Sequence, residues 1–286
     1  MNDPNRSTAH PSPVSNSGFT NLVVSDLPPL YAPFLELRQL RKTFGKGKKQ
    51  LHVMENISLT VQEGEFVSII GPSGSGKSTL LQMIGGVVLP DDGDIVLQGT
   101  RINGQKGRAG YMPQQPALFP WRTIEQNVVL ARETAGLPQR ESLQLARTWL
   151  DKVGLSEFRQ AYPHTLSGGM QQRVAFLRAL LGPQSLLCLD EPFSALDAFT
   201  RSEMQSWLLR IWEDNRRSVV FITHHIEEAL LLSDTIYVLS NRPATVLERI
   251  EVPFERPRRE QLVDTPSFIA LRRRLTELLR AEVSER

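Results

Sequence analysis

The chain has a single cysteine, Cys188, in 286 residues, so it forms no intrachain disulfide. No apolar run approaches the ~20 residues that a membrane-spanning helix needs. The N-terminal stretch lacks both the basic start and the apolar h-region of a secretory signal, and is expected not to be one. Neither sign of charge dominates: 33 Lys and Arg against 31 Asp and Glu leave +2, too balanced to argue for a nucleic-acid partner. These absences point to an intracellular protein with no membrane span of its own. Apolar residues make up 40%, enough for a core, and the length holds one large domain or two small ones.

Residues 1–33 are rich in Pro, Ser and Asn without periodicity, and are expected to be a disordered lead. Leu35–Leu40 and Ile57–Val61 alternate at period two, like antiparallel strands. Gly45–Lys49, between them, reads as a solvated basic turn. Asp94–Gln98 and Arg101-Ile102 suggest a hairpin around Gly99. From about Pro116 to Leu181 the pattern turns helical. Glu141–Leu150 is amphipathic and ends near Gly154, a C-cap residue. The basic tail, 252–286, holds a helix candidate from Phe268 to Val283. Leu271, Leu275 and Leu278 share its apolar face and are expected to pack back on the core.

Gly71-Pro72-Ser73-Gly74-Ser75-Gly76-Lys77-Ser78-Thr79 satisfies G-x-x-x-x-G-K-[ST], the phosphate-cradling P-loop. The apolar strand candidate Phe66–Ile70 precedes it and a helix start, Thr79–Ile84, follows, as the motif requires. Glycines let backbone N–H groups turn onto phosphate oxygens, and the helix N-terminus adds partial positive charge. In this motif Lys77 reaches the β- and γ-phosphates of ATP and the Ser78 hydroxyl ligates Mg²⁺. A second Gly-rich segment, Leu166-Ser167-Gly168-Gly169-Met170-Gln171-Gln172-Arg173, runs into a helical pattern with Met170, Val174, Leu177 and Leu181 on one face. It can be another anion-binding helix N-terminus, or a serine N-cap before an ordinary helix.

That second segment resembles the LSGGQ-type signature of ABC ATPases, and further motifs in chain order are similar to the same family. Leu186–Glu191 is an apolar strand ending in two carboxylates. It resembles the Walker B strand, which makes Asp190 the Mg²⁺ holder and Glu191 the residue that polarises the attacking water. Ser194–Asp197 matches the D-loop, which runs along the dimer interface. Val219–Thr223 leads into His224, the switch histidine that contacts the γ-phosphate. Gln114 matches the glutamine that senses Mg²⁺ and water, in a loop abutting the membrane subunit. Phe44 stands where an aromatic stacks on adenine. Two positions depart from the family: His225 follows His224 where Asp is usual, and Gln115 follows Gln114 where acidic residues are frequent. His225 is expected to be a cap or polar contact at the start of the next helix.

The resemblance, over roughly Phe34 to Arg249, implies an α/β P-loop NTPase fold. Its parts are a RecA-like mixed sheet core, an antiparallel β subdomain and an inserted α-helical subdomain. It places one nucleotide-binding domain at 34–251, with the helical subdomain at about 116–181. It implies an ATPase whose cofactors are ATP and Mg²⁺. Its partners would be a second copy, closing Ser167, Gly168 and Gly169 over the γ-phosphate head to tail, and integral-membrane permease subunits. A periplasmic or lipid-anchored solute-binding protein would act indirectly, and the site would be the cytoplasmic face of the inner membrane. Pro116–Thr123, Leu196–Arg201 and Arg242-Pro243 resemble the nitrate, sulfonate and taurine group of bacterial importers. Importers of a thiamine-precursor pyrimidine share these features. An exporter ATPase, or a non-transport ABC ATPase, is the alternative. Only residues 115–165 separate the Gln114 loop from the signature, too few for the long coiled coil of repair ATPases.

Overall fold

The computed structural model describes residues 32–284. The lead at 1–33 therefore lies, apart from Ala32 and Pro33, outside the described residues. The two period-two segments are β1 (Leu35–Phe44) and β2 (Leu51–Val61), paired antiparallel with Leu35 opposite Val61 and Phe44 opposite Leu51. Leu35, Leu37 and Leu40 face inward. The three-residue step from Leu37 to Leu40 is a bulge, with Gln39 at φ +49°, which keeps Leu40 on the buried face.

β3 (Phe66–Ile70) is buried throughout and feeds the phosphate loop and α1 (Lys77–Ile84). The hairpin around Gly99 is β4 (Asp92–Leu97) and β5 (Thr100–Arg101), and β4 extends the sheet from β1. After β6 (Gly110–Met112) come α2 (Ile124–Val128), α3 (Leu130–Thr134), α4 (Gln139–Lys152) and α5 (Gly168–Leu180). The chain continues through β7 (Leu186–Asp190), α6 (Ala198–Asn215), β8 (Ser218–Ile222), α7 (Ile226–Leu232), β9 (Thr235–Leu239), β10 (Val246–Glu251) and α8 (Pro266–Ser284).

Two sheets result. One is antiparallel, in the order β2-β1-β4-β5; the other is mixed, in the order β10-β9-β3-β8-β7-β6. In the mixed sheet only β10 runs antiparallel to its neighbour. Its central strands β3, β7, β8 and β9 are buried along their whole length, which is why they read as unbroken apolar runs. The fold is thus the α/β P-loop architecture that the motifs imply, with the helical insertion between β6 and β7. Regular helix begins at Ile124, later than the Pro116 expected from the sequence. Buried Asn127 holds the irregular stretch before it: Oδ1 accepts from Phe119 N at 2.8 Å, and Nδ2 donates to the Phe119, Arg122 and Thr123 carbonyls.

One apolar core lies between the two sheets and α1; a second lies under α2, α4, α5 and α6. A third is closed by α7 and α8, where Phe268 and Leu275 are fully buried and Leu271 and Leu278 flank them. The tail helix packs on the core as its spacing predicts, starting two residues early at Pro266. Among the described residues no helix is long and apolar enough to cross a membrane. Because β3, β6, β7 and β8 run parallel, their carboxyl ends deliver four loops to one edge of the sheet, where open α/β folds bind ligands.

Candidate nucleotide site

The loops at that edge enclose a cleft of about 600 Å³. The phosphate loop forms its floor, with Ser73, Gly74, Gly76, Lys77, Ser78 and Thr79 in the lining. Gly76 sits at φ +106°, and a Cβ there would lie 2.6 Å from Val53 Cγ1, so only glycine fits. Gly71, Pro72 and Ser75 lie behind the lining and hold the lysine. Lys77 Nζ donates to the Gly71 carbonyl at 2.9 Å, the Pro72 carbonyl at 2.8 Å and Ser75 Oγ at 3.3 Å. Burial pushes the Lys77 ammonium pKa down, while the charges of Glu191 and Asp190 pull it up.

Ser78 Oγ donates to Asp190 Oδ1 at 3.1 Å. Burial pushes the Asp190 carboxyl up to about 6, against the pull of the Ser78 hydroxyl and of Lys77 and with the push of Glu191. A buried carboxylate so short of positive charge, beside a hydroxyl, suits a hard divalent cation. Among the described residues no group of three or more His, Cys, Asp or Glu could hold a metal. An ion between Ser78 and Asp190 would take further ligands from a phosphate, the usual arrangement for Mg²⁺.

Glu191, just past β7, gathers the other polar groups. Gln114 Nε2 donates to Glu191 Oε2 at 2.9 Å, and His224 Nδ1 lies 3.4 Å from the same oxygen. Gln114, Glu191 and His224 line the cleft; Gln115 does not. Phe44, at the end of β1, is 40% exposed and lines the cleft.

The signature lies elsewhere. Ser167 caps α5, accepting from Met170 N at 3.3 Å, and is exposed with Gly168; none of Ser167, Gly168 and Gly169 lines the cleft of its own chain. His225 stands at the N-cap of α7, but its side chain makes no capping bond. Its Nε2 instead lies 3.2 Å from Arg201 Nη1, so the polar-contact half of the expectation holds and the cap half does not. Leu51, Val53 and Arg242 also line the cleft. Leu51 and Val53 belong to no motif, and the Arg242-Pro243 resemblance gave no sign of a place in this cleft: β2 and the β9–β10 loop reach the site only through the fold.

A family model described as ABC transporter matches residues 54–194. The aliphatic sulfonates import ATP-binding protein SsuB of Bacillus cereus is 39% identical over 243 residues, 85% of this chain and 94% of that protein. The nitrate import ATP-binding protein NrtD of a Synechocystis species is 38% identical over 257 residues, 88% and 97% of the two chains. A solved dimeric ATP-binding cassette, MJ0796 in a post-hydrolysis state bound to ADP and Pi, aligns with a TM-score of 0.69 at 30% identity, covering 77% of this chain and all of that one. The chain belongs to the ABC transporter family. Within it, the chain is an ATP-binding cassette, an ATPase.

Proposed function

We propose that this cassette powers uptake of a small oxyanion-bearing solute, a sulfonate such as taurine or else nitrate, by closing as a head-to-tail dimer on separate permease subunits. The observation that carries this reading is the division of the motifs. Lys77, Ser78 and the Gln114–Glu191–His224 cluster share one cleft, with buried Asp190 bonded to Ser78 behind its wall, while Ser167, Gly168 and Gly169 stand outside it. A second copy would complete the site by laying its α5 N-terminus on the γ-phosphate.

In that closed state Lys77 leaves the loop carbonyls for the β- and γ-phosphates, and the P-loop N–H groups hold the phosphate oxygens. Phe44 stacks on adenine. Ser78 and Asp190 would hold Mg²⁺, with Gln114 nearby, and the ion would supply neutralising charge for the phosphates. Glu191 orients a water and takes its proton as the water oxygen bonds to the γ-phosphorus; the β–γ bridging oxygen leaves with ADP. His224 contacts the γ-phosphate. Loss of inorganic phosphate removes the contact that joins the two copies, and the dimer reopens. The assembly sits on the cytoplasmic face of the plasma membrane, with a solute-binding protein on the far side.

The sulfonate or nitrate reading is supported by the names of the relatives and by Pro116–Thr123. Its test is the complete transporter in vesicles, with its permeases and solute-binding protein, offered alkanesulfonate, taurine, nitrate and hydroxymethylpyrimidine in turn. ATP-dependent inward flux of a sulfonate or nitrate is expected. Flux of the pyrimidine alone, or outward flux, overturns the assignment.

A further inference from the structure

The β9–β10 loop brings Arg242 into the cleft wall. Its Nε donates to the carbonyl of Gly74, in the phosphate loop. A Cβ added to Gly74, which sits at φ +80°, would lie 2.7 Å from Arg242 Nη2, so the guanidinium is in contact with the loop itself. Lys77 and Arg242 are the residues of the lining that carry a fixed positive charge. Lys77 is occupied with loop oxygens, whereas the five-donor fork of Arg242 has N–H groups beyond the one given to Gly74.

Two anchors fix this loop. On one side the backbone pairs with β2: Ala244 N donates to the Val53 carbonyl and Glu55 N to the Ala244 carbonyl, each at 2.9 Å. On the other, Asn241 N donates to Glu282 Oε2 at 2.9 Å, and Asn241 Nδ2 donates to the Glu282 carbonyl. That carbonyl belongs to the last turn of α8 and has no partner within the helix. α8 is in turn set by buried Phe268 and Leu275, and by ion pairs from Arg272 to Glu227 of α7 and from Arg274 to Glu248 of β10. A chain of contacts therefore runs from the C-terminal helix through Glu282, Asn241 and Arg242 to Gly74.

We propose that Arg242 is a nucleotide-phosphate residue, bracing the phosphate loop at Gly74 and adding charge beside it, and that α8 positions it through Glu282 and Asn241. The C-terminal helix thereby tunes nucleotide affinity. The inference rests on the cleft being the ATP site.

The test measures dissociation constants for ATP and ADP on the full chain by displacement of a fluorescent nucleotide, with apo thermal midpoints in parallel. Arg242→Ala is expected to raise both constants about tenfold, the scale of one charge-assisted contact. Arg242→Lys keeps the charge without the fork and should lose less. Glu282→Ala lies outside the cleft and should raise both constants about threefold, the scale of one hydrogen bond. In the Arg242→Ala background Glu282→Ala should add nothing, since it acts through the arginine. Equal losses from Glu282→Ala in both backgrounds overturn the positioning role. Wild-type affinity in Arg242→Ala, with binding lost in Lys77→Ala, overturns this inference and leaves the cleft assignment standing. Wild-type affinity in Lys77→Ala overturns both. If Arg242→Ala does not fold, Arg242→Gln gives the same comparison with a shorter, neutral amide side chain.

Discussion

Glu191 occupies φ +46°, a left-handed conformation that costs a residue with a side chain about 1–3 kcal/mol. Its neighbours hold it there: its N–H donates to the Ile222 carbonyl at 3.0 Å, and its own carbonyl accepts from Ser194 N at 3.2 Å and Ser194 Oγ at 3.0 Å. The turn swings the carboxylate out of the line of β7, toward Gln114 and His224. Phe44 shows a different residue-scale economy. The residue is 40% exposed, with Lys42 Nζ 5.2 Å from the ring centroid, so it stands in the cleft wall instead of filling the core. Phe44→Ala should weaken ATP binding by about 1–2 kcal/mol, within the range for a base stacked on an aromatic ring, while Phe44→Trp retains most of it. Fluorescent-nucleotide titration of the three proteins reads this directly. Equal affinities would move the adenine contact elsewhere, and a large fall in apo thermal midpoint for Phe44→Ala would make the ring a core residue.

At the scale of elements, the helical insertion is held by a polar cluster as well as by its apolar core. Glu125 of α2 is nearly buried, accepting from Arg147 Nε of α4 at 2.9 Å and Gln160 Nε2 at 2.5 Å. Burial pushes its carboxyl upward, but the bonds from Arg147 and Gln160 outweigh this and hold its pKa below the ordinary value. A carboxyl with a lowered folded pKa adds stability above its unfolded pKa, and loses it as pH falls through the folded one. Glu125→Gln should therefore be clearly less stable than wild type at pH 7, with the gap closing below the ordinary carboxylate range. Urea midpoints at pH 7 and at about pH 3.5 check this; a gap that widens in acid would reverse the sign. Much of this element layer was legible in the sequence. Period-two alternation marked β1 and β2, and the leucines of α8 marked a packed helix. The phosphate loop and the end of β7 were legible because their chemistry requires contiguous residues. Three features were not. α2 and α3 span five residues each, too short for periodicity to show, and α2 is fixed by the Thr123–Gln126 capping box and Asn127. The bulge at Gln39 breaks the alternation that reveals β1. Arg242 and Val53 join the cleft through contacts between segments far apart in the chain, which no local pattern records.

For the whole molecule, the proposed function turns on one chain carrying both halves of a site without bringing them together. The cleft holds the phosphate loop and Glu191, and the exposed N-terminus of α5 points its free N–H groups elsewhere. A nucleotide bound in one copy would be completed by Ser167, Gly168 and Gly169 of another, as a ligand of the interface. Glu191→Gln separates this binding from the chemistry. It keeps the shape but removes the proposed base, while Lys77, Ser78 and Asp190 are untouched. ATP should still bind, and hydrolysis should fall at least ~100-fold, within the range for loss of a general base. The uncleaved γ-phosphate should then hold two copies together. Glu191→Gln is expected to elute as a dimer in size-exclusion chromatography with ATP and as a monomer without it. Adding Ser167→Arg removes the N-cap oxygen and places a bulky side chain at the α5 N-terminus, so the double variant should remain monomeric with ATP present. Repeating the measurement with the permease subunits bound raises the local concentration of the two copies and covers weak dimerisation of the isolated chain. Unimpaired hydrolysis by Glu191→Gln would remove Glu191 as the base. Dimerisation indifferent to both ATP and Ser167 would remove the shared site.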